Sequence, residues 1–378
     1  MGREPSGVKA RRASKSEPIR PVIASSMRAL RKTIAGPGAE LVVIPVPNPG
    51  PGEVLIRVDA ASICGTDLHI HRWDHWAQGR IKSIPMTFGH EVAGIVVAAG
   101  PEVHHLRPGT LVAAEGHLFC GFCLLCRTGR MHICENLRIL GVDVEGGFAE
   151  YLVWPERNCW EVDPRIPPEV ASIHDPFGNA VHTVFADGDA SDVATAAVAI
   201  LGCGPIGLFA VGITRACGAR TVIAVEPNEF RQSLAKQMGA DLVVDPTRED
   251  PVAAVLEATD GHGAEVVLEM SGIAAVIGQG TRMLARGGRM SLLGLPSEPV
   301  TLDLTDQVIF KEARLLGVTG REIYRTWQQT TTLLATGMVD VAPVITHRFP
   351  LERFEEAFEI TASGRSGKVI LLPQASGA

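Results

Sequence analysis

Apolar and polar positions follow two different rhythms along this chain, and the change between them outlines its architecture. From Met27 the apolar runs are short and rich in Val and Ile, as in "ELVVIPVP", "EVLIRVDAASI" and "EVAGIVVAAG", with "NPGPGE" and "GPEV" between them. Such runs with Gly/Pro punctuation predict strands of a compact sheet or barrel. From about Thr195 strand-like and helix-like segments alternate: "AAVAILG" precedes "PIGLFAVGITRACG", "TVIAVEP" precedes "EFRQSLAKQMG", and "EVVLEMSG" precedes "AVIGQGTRMLARGG" and then "RMSLLGLP". That alternation predicts parallel βαβ units with both sheet faces covered. After about Arg321 a helical stretch, Trp327–Gly337, leads to "PVITHRFP" and "GKVILLP", which are β-like again. The expected fold is therefore an α/β domain inserted into a β-rich one.

One apolar run invites a different reading. Residues 193–214 form 22 consecutive positions without a charge, long enough to span a bilayer. Gly202, Gly204, Pro205, Gly207 and Gly212 would break a spanning helix, so a buried strand, a glycine turn and a buried helix are expected instead. With 378 residues, 46% hydrophobic and 20% charged, the chain has the composition of a globular protein of two or three domains. Its net charge of −7 gives no support for a nucleic-acid partner. Residues 1–26 carry net +4, leaving −11 for the remainder. This basic stretch has no apolar period and is expected to be disordered. Pro18 and Pro21 argue against an amphipathic transit helix, and no secretory apolar core follows Met1.

The clearest chemistry begins in "VAILGCGPIG". Gly202-x-Gly204-x-x-Gly207 directly follows a buried strand, which suits a tight turn, close approach to a pyrophosphate and a helix packed on the sheet. The helix N-terminus adds free N–H groups for phosphate. The next strand ends in Glu226, nineteen residues after Gly207, where an acid can accept bonds from ribose hydroxyls. A carboxylate there favours NAD over NADP, although Arg231 nearby could serve a 2′-phosphate. The alternative is a structural glycine turn followed by a surface Glu.

Four cysteines, Cys120, Cys123, Cys126 and Cys134, lie within fifteen residues. The spacing C-x2-C-x2-C-x7-C suits four thiolates around one tetrahedral zinc with no open position, the character of a structural site. An iron–sulfur cluster is the rival, and disulfides are disfavoured without an export signal. Elsewhere "ICGTDLHIH" offers Cys64, Thr66, Asp67 and His69, and "FGHEVAG" offers His90 and Glu91. Cys64, His90 and Glu91 together supply a thiolate, an imidazole and a carboxylate, a set that would leave a zinc ion one exchangeable position.

Gly89-His90-Glu91-x2-Gly94-x5-Gly100-x2-Val103 and the four-cysteine lobe resemble the zinc-dependent medium-chain alcohol dehydrogenases, with likeness from Met27 to about Pro373. The resemblance implies a GroES-like β-barrel catalytic domain over residues 27–178 and 322–378 and a Rossmann domain over 179–321. It implies two zinc ions per chain, one on Cys64, His90 and Glu91 and one on the four cysteines. Thr66 and His69 would relay a proton, Asp175 would stand close to the metal, and His117 would bear on substrate choice. Ile206, Glu226, Arg231, Leu293, Gly294, Leu295, Val318 and Thr319 would line the NAD site beside the glycine turn. The implied reaction oxidises a secondary hydroxyl, that of L-threonine to 2-amino-3-oxobutanoate or else that of a diol or polyol. A cytoplasmic homotetramer is also implied. His71, His75, His104 and His105 match no ligand position. Three residues depart from the family pattern: Thr319 where an aromatic is common, His174 before Asp175, and Thr110 where Asp is usual.

Overall fold

Six parallel strands, Leu242–Val244, Thr221–Val225, Ala197–Leu201, Ala264–Glu269, Leu284–Leu292 and Arg314–Gly317, lie side by side in that order in the computed structural model, which describes residues 23–186 and 190–375. In chain order this is 3-2-1-4-5-6, the doubly wound arrangement whose switch point binds dinucleotides. The central strand Ala197–Leu201 is buried throughout. Val198 and Ile200 enter one apolar cluster, while Ala199 and Leu201 enter another, as the two-residue period of a strand covered on both faces requires. The uncharged run therefore resolves into strand, glycine turn and the helix Pro205–Ala216. Among the described residues no helix is long and apolar enough to cross a membrane. Most of the basic stretch, residues 1–22, lies outside the described residues.

The strands on either side of this segment form a second system. Cys159–Glu161, Leu111–Ala114, Glu91–Ala99, Glu53–Ser62, Lys368–Leu372 and Ile345–Pro350 follow one another across a seven-stranded sheet, and Tyr151–Pro155 pairs with Glu53–Ser62. Ser62 sits opposite Glu91 on one side and Ile370 on the other, so the end of the chain returns to the metal-ligand region. The helix His174–Val184 packs against Pro205–Ala216 and against Arg325–Ala335. Its Phe177 and Val181 share one core cluster with Ala60, Ile200, Phe209 and Ile370, which knits the two sheets together.

The sequence pattern passes over the helix His174–Val184, since "HDPFGN" carries Pro176 and Gly178. Pro176 falls in the first turn, where a missing N–H costs nothing. The helix expected to run to Gly288 ends at Met283, because Leu284 already pairs with Ala264 across an irregular register. The final long helix spans Arg325–Ala335 rather than Trp327–Gly337, and Gly337 at φ 71° follows as its left-handed stop.

Two outcomes follow from this packing. A Cβ on Gly207 would lie 2.0 Å from the Gly202 carbonyl oxygen. Gly207→Ala should cost about 1–3 kcal/mol of stability through overpacking and weaken dinucleotide binding. Thermal unfolding and a cofactor titration that both match the parent would refute that. His174 is buried, stacks on Trp327 with ring centroids 5.6 Å apart, and burial pushes its pKa down to about 4. An unfolded histidine titrates near pH 6.5. Between those values the unfolded chain takes up a proton that the folded one refuses, so stability falls as pH drops through the window and levels off below it. His174→Gln should therefore lose less melting temperature than the parent on going from about pH 7 to about pH 5. Parallel curves for the two proteins would remove His174 as the source.

Candidate active site

The first metal-ligand set is assembled from a helix start and a strand start. Cys64 is the N-cap residue of the helix Gly65–Arg72, and Asp67 at the third helical position accepts the Cys64 N–H at 2.8 Å. His90 precedes and Glu91 opens the strand Glu91–Ala99, just after Gly89, whose φ is 91°. The Phe148 ring occupies the space a Cβ on Gly89 would need, 2.5 Å away, so only glycine fits. The ligand atoms of Cys64, His90 and Glu91 all lie within 4.8 Å of one another. His90 and Asp67 are buried, and His90 Nδ1 faces Asp67 Oδ1 at 3.6 Å, neither atom having another partner. Asp67 thus holds one ring nitrogen by charge and leaves the other to the ligand set. Burial opposes charge on His90, yet Asp67 and Cys64 outweigh it and raise the imidazole well above its ordinary pKa. The site draws in positive charge, and its donor set fits zinc. Glu91 also meets Ser62 Oγ and Lys368 Nζ through one carboxylate oxygen, and Lys368 Nζ donates to the Ile63 carbonyl at 2.9 Å.

The four cysteines converge separately, again with all ligand atoms within 4.8 Å. Cys120 and Cys126 sulfurs are 3.9 Å apart, as are those of Cys123 and Cys134. A tetrahedron with metal–sulfur bonds of about 2.3 Å has edges of about 3.8 Å. The spacing excludes a disulfide and leaves room for one ion rather than a polynuclear cluster. Backbone N–H groups of Cys120, Cys123, Cys126 and Asn136 point at the sulfurs at 3.3–3.5 Å, as thiolates require.

A cavity of about 480 Å³ joins the first set to the dinucleotide cleft. Cys64, Thr66, His90, Glu91, His117 and Asp175 line one part of it. Ile206, Arg231, Leu293, Leu295, Val318 and Thr319 line the other, so both groups expected from the sequence meet in one space. Gly202, with φ 92°, turns the chain, and Gly204 caps the helix Pro205–Ala216. Gly294 packs so closely that a Cβ would lie 2.1 Å from the Gly272 nitrogen. Glu226 is buried and accepts the Cys203 N–H at 2.7 Å and the Asn228 N–H at 3.0 Å, which ties it to the glycine turn. His69 stands apart from the cavity wall, half exposed, and pairs with Asp74.

Asp175 lies in the first turn of the helix His174–Val184 and pairs with Arg321 Nη2 at 2.7 Å. Burial raises its pKa to about 6, against the pull of Arg321 and His90. His117 is held neutral by burial, with Arg321 adding to the effect, and its buried Nδ1 makes no hydrogen bond, with Glu115 Oε1 3.8 Å away. Arg321, Lys368 and Asn179 also line the cavity, and no spacing in the sequence announced them. Asp67 was the readable exception, since an acid three residues after an N-cap is a capping signal.

Residues 50–164 match the family profile described as alcohol dehydrogenase GroES-like domain, and residues 205–336 match that described as zinc-binding dehydrogenase. The chain is 50% identical to L-threonine 3-dehydrogenase of Bacillus subtilis (strain 168) over 347 residues, covering 92% of this chain and 99% of the relative. It is 47% identical to L-threonine 3-dehydrogenase of Thermococcus kodakarensis over 352 residues, covering 93% and 99%. Among solved structures, a zinc-binding dehydrogenase from Sinorhizobium meliloti 1021 bound to NADP superposes with a TM-score of 0.85 at 32% identity, covering 93% of this chain and all of that one. The 2R,3R-butanediol dehydrogenase from Bacillus subtilis superposes with a TM-score of 0.82 at 26% identity, covering 92% and 100%. With the GroES-like and dinucleotide-binding halves both matched and the metal ligands gathered at their junction, the chain belongs to the zinc-binding alcohol dehydrogenases.

Proposed function

We propose that this protein oxidises the secondary hydroxyl of L-threonine to 2-amino-3-oxobutanoate with NAD, using one zinc ion at Cys64, His90 and Glu91 and a second at the four cysteines. The observation that carries the reading is the shared cavity, which opens the Cys64 set directly onto Ile206, Leu293 and Val318 of the dinucleotide cleft. Relatives 46–50% identical over at least 92% of the chain bear the name L-threonine 3-dehydrogenase, which supports the choice of substrate.

When bound, zinc supplies a Lewis acid that makes a hydroxyl acidic near neutral pH, and the nicotinamide ring accepts the hydride. The protein's own groups do the rest. Thr66, whose Oγ1 lies 3.9 Å from Cys64 Sγ, lines the cavity, and its hydroxyl accepts the substrate's proton while giving up its own toward His69. His69 follows one helical turn later on the exposed side and carries that proton to water, with Asp74 steadying its ring. Asp175 and Arg321 place paired charge beside the substrate, and neutral His117 stands in the same wall. Glu226 favours NAD, because a 2′-phosphate would meet a buried carboxylate. A cytoplasmic homotetramer completes the reading, as the family resemblance implies.

Cys64→Ser should hold turnover below about 1% of the parent, since changes that merely support a ligand already cost 10–100-fold, while the dissociation constant for NAD stays unchanged. Metal analysis should find two zinc ions in the parent and one in this variant. Cys123→Ser should instead lower the melting temperature first, with activity lost as a consequence. A stable, folded but inactive Cys123→Ser would mean the two sites are exchanged. The substrate reading is decided by kcat/KM for L-threonine, 2,3-butanediol and sorbitol measured side by side, and preference for a diol or polyol would overturn it.

A further inference from the structure

Behind the cavity wall lies a carboxylate that the mechanism above does not use. Glu115 ends the turn after the strand Leu111–Ala114, is buried, and does not line the cavity. A buried carboxylate left unpaired would cost several kcal/mol, and here three donors reach it. Its Oε1 accepts Arg321 Nη2–H at 2.5 Å and the backbone N–H of His117 at 2.7 Å. Its Oε2 accepts the indole N–H of Trp327 at 2.5 Å. The Glu115 backbone is equally fixed, because its carbonyl accepts from Trp154 Nε1 at 3.1 Å and Asn158 Nδ2 at 3.2 Å.

His117 lies two residues along the chain, Arg321 and Trp327 come from one distant segment, and His117 and Arg321 face the cavity. Arg321 passes the arrangement on, since the same Nη2 reaches Asp175 at 2.7 Å. Gly320 sits so near the His117 ring that a Cβ would come within 2.7 Å of Cε1, so the position of residues 320–321 also sets that ring. Trp327 stacks on His174, the neighbour of Asp175, and lies under the Arg321 guanidinium at 5.7 Å. We propose that Glu115 is a positioning residue for the oxidation, fixing His117 and the Arg321–Asp175 pair in register against the substrate. Its charge matters as much as its shape. Without it Arg321 would keep Asp175 as its ion-pair partner, with Glu91 also attracting it, and would be drawn toward the cavity.

Shape and charge can be separated by experiment. In Glu115→Gln the side chain keeps its size, but the amide sets an N–H against the Trp327 indole N–H. Adding Trp327→Phe removes that conflict and leaves only the missing charge. Glu115→Gln should lower kcat roughly 10–100-fold, the scale of a misplacement of about 1 Å. Zinc content and the dissociation constant for NAD should stay as in the parent. The double variant should regain melting temperature without regaining kcat, and it supplies the readout if the single variant does not fold. A kcat within about twofold of the parent in Glu115→Gln, or full recovery of kcat in the double variant, would reduce Glu115 to a packing role. The inference rests on the dehydrogenase reading but not on its substrate. If the parent prefers another alcohol, the L-threonine reading falls, and the ratios on the preferred alcohol still decide Glu115.

Discussion

A carboxylate taken out of water must find a cation or a set of donors within a few ångströms, and four buried acids crowd this site and its wall: Asp67, which faces His90, and Glu91, Glu115 and Asp175. Glu91 is answered by Lys368, while Glu115 and Asp175 share Arg321. Desolvating each ion costs several kcal/mol, so none of these acids is tolerable alone. Both cations arrive late in the chain, Lys368 from 277 residues beyond Glu91 and Arg321 from 206 beyond Glu115. The acidic half of the site is therefore stable only once the dinucleotide-binding segment has folded and the chain has come back. Insertion of one domain into another thereby becomes a condition for charge balance in the site.

That constraint explains what could be read from the sequence and what could not. The glycine turn, the four-cysteine lobe and the triad of Cys64, His90 and Glu91 are local or nearly local patterns, in which spacing alone limits the chemistry. Strand–helix alternation was legible for the same reason, since it reflects burial on both faces of each strand. Arg321 and Lys368 carry no such signature, because a lone basic residue looks the same whether it is solvated or buried beside two acids. Glu115 carries no such signature either. Its three donors become visible only when residues 115, 321 and 327 are neighbours. His174, noted only as unusual, has a physical reason in the structure: its ring stacks on Trp327 inside the same network.

The glycine turn shows how one residue type serves two constraints at once. Gly202 adopts φ 92° and lies against Ser271, whereas Gly207 is needed because its helix approaches the Gly202 carbonyl. Glu226 then closes the turn by accepting the Cys203 N–H, so the residue proposed to select NAD also holds the loop in shape. On that proposal, replacing Glu226 to admit a 2′-phosphate would disturb the glycine turn as well, and cofactor preference would not be set by charge alone.

The four-cysteine lobe is coupled to the active site by the same segment that carries Arg321. Ile323 is buried in a cluster with Phe119, Cys123, Cys126 and Cys134. Tyr324 next to it has φ 71° and ψ −49°, a conformation that costs about 1–3 kcal/mol for a residue with a side chain. It is held there by its hydroxyl, which donates to the Arg157 carbonyl at 2.9 Å, and by an edge-on contact with Phe119 at 6.3 Å. Arg157 in turn donates to the Phe119 carbonyl at 3.0 Å and covers its ring. A loosened lobe would release Tyr324 from its strained backbone, and Arg321, three residues earlier, would lose the anchor that sets its reach toward Glu115 and Asp175. A zinc ion held by the four thiolates would therefore bear on the charged wall only through this segment.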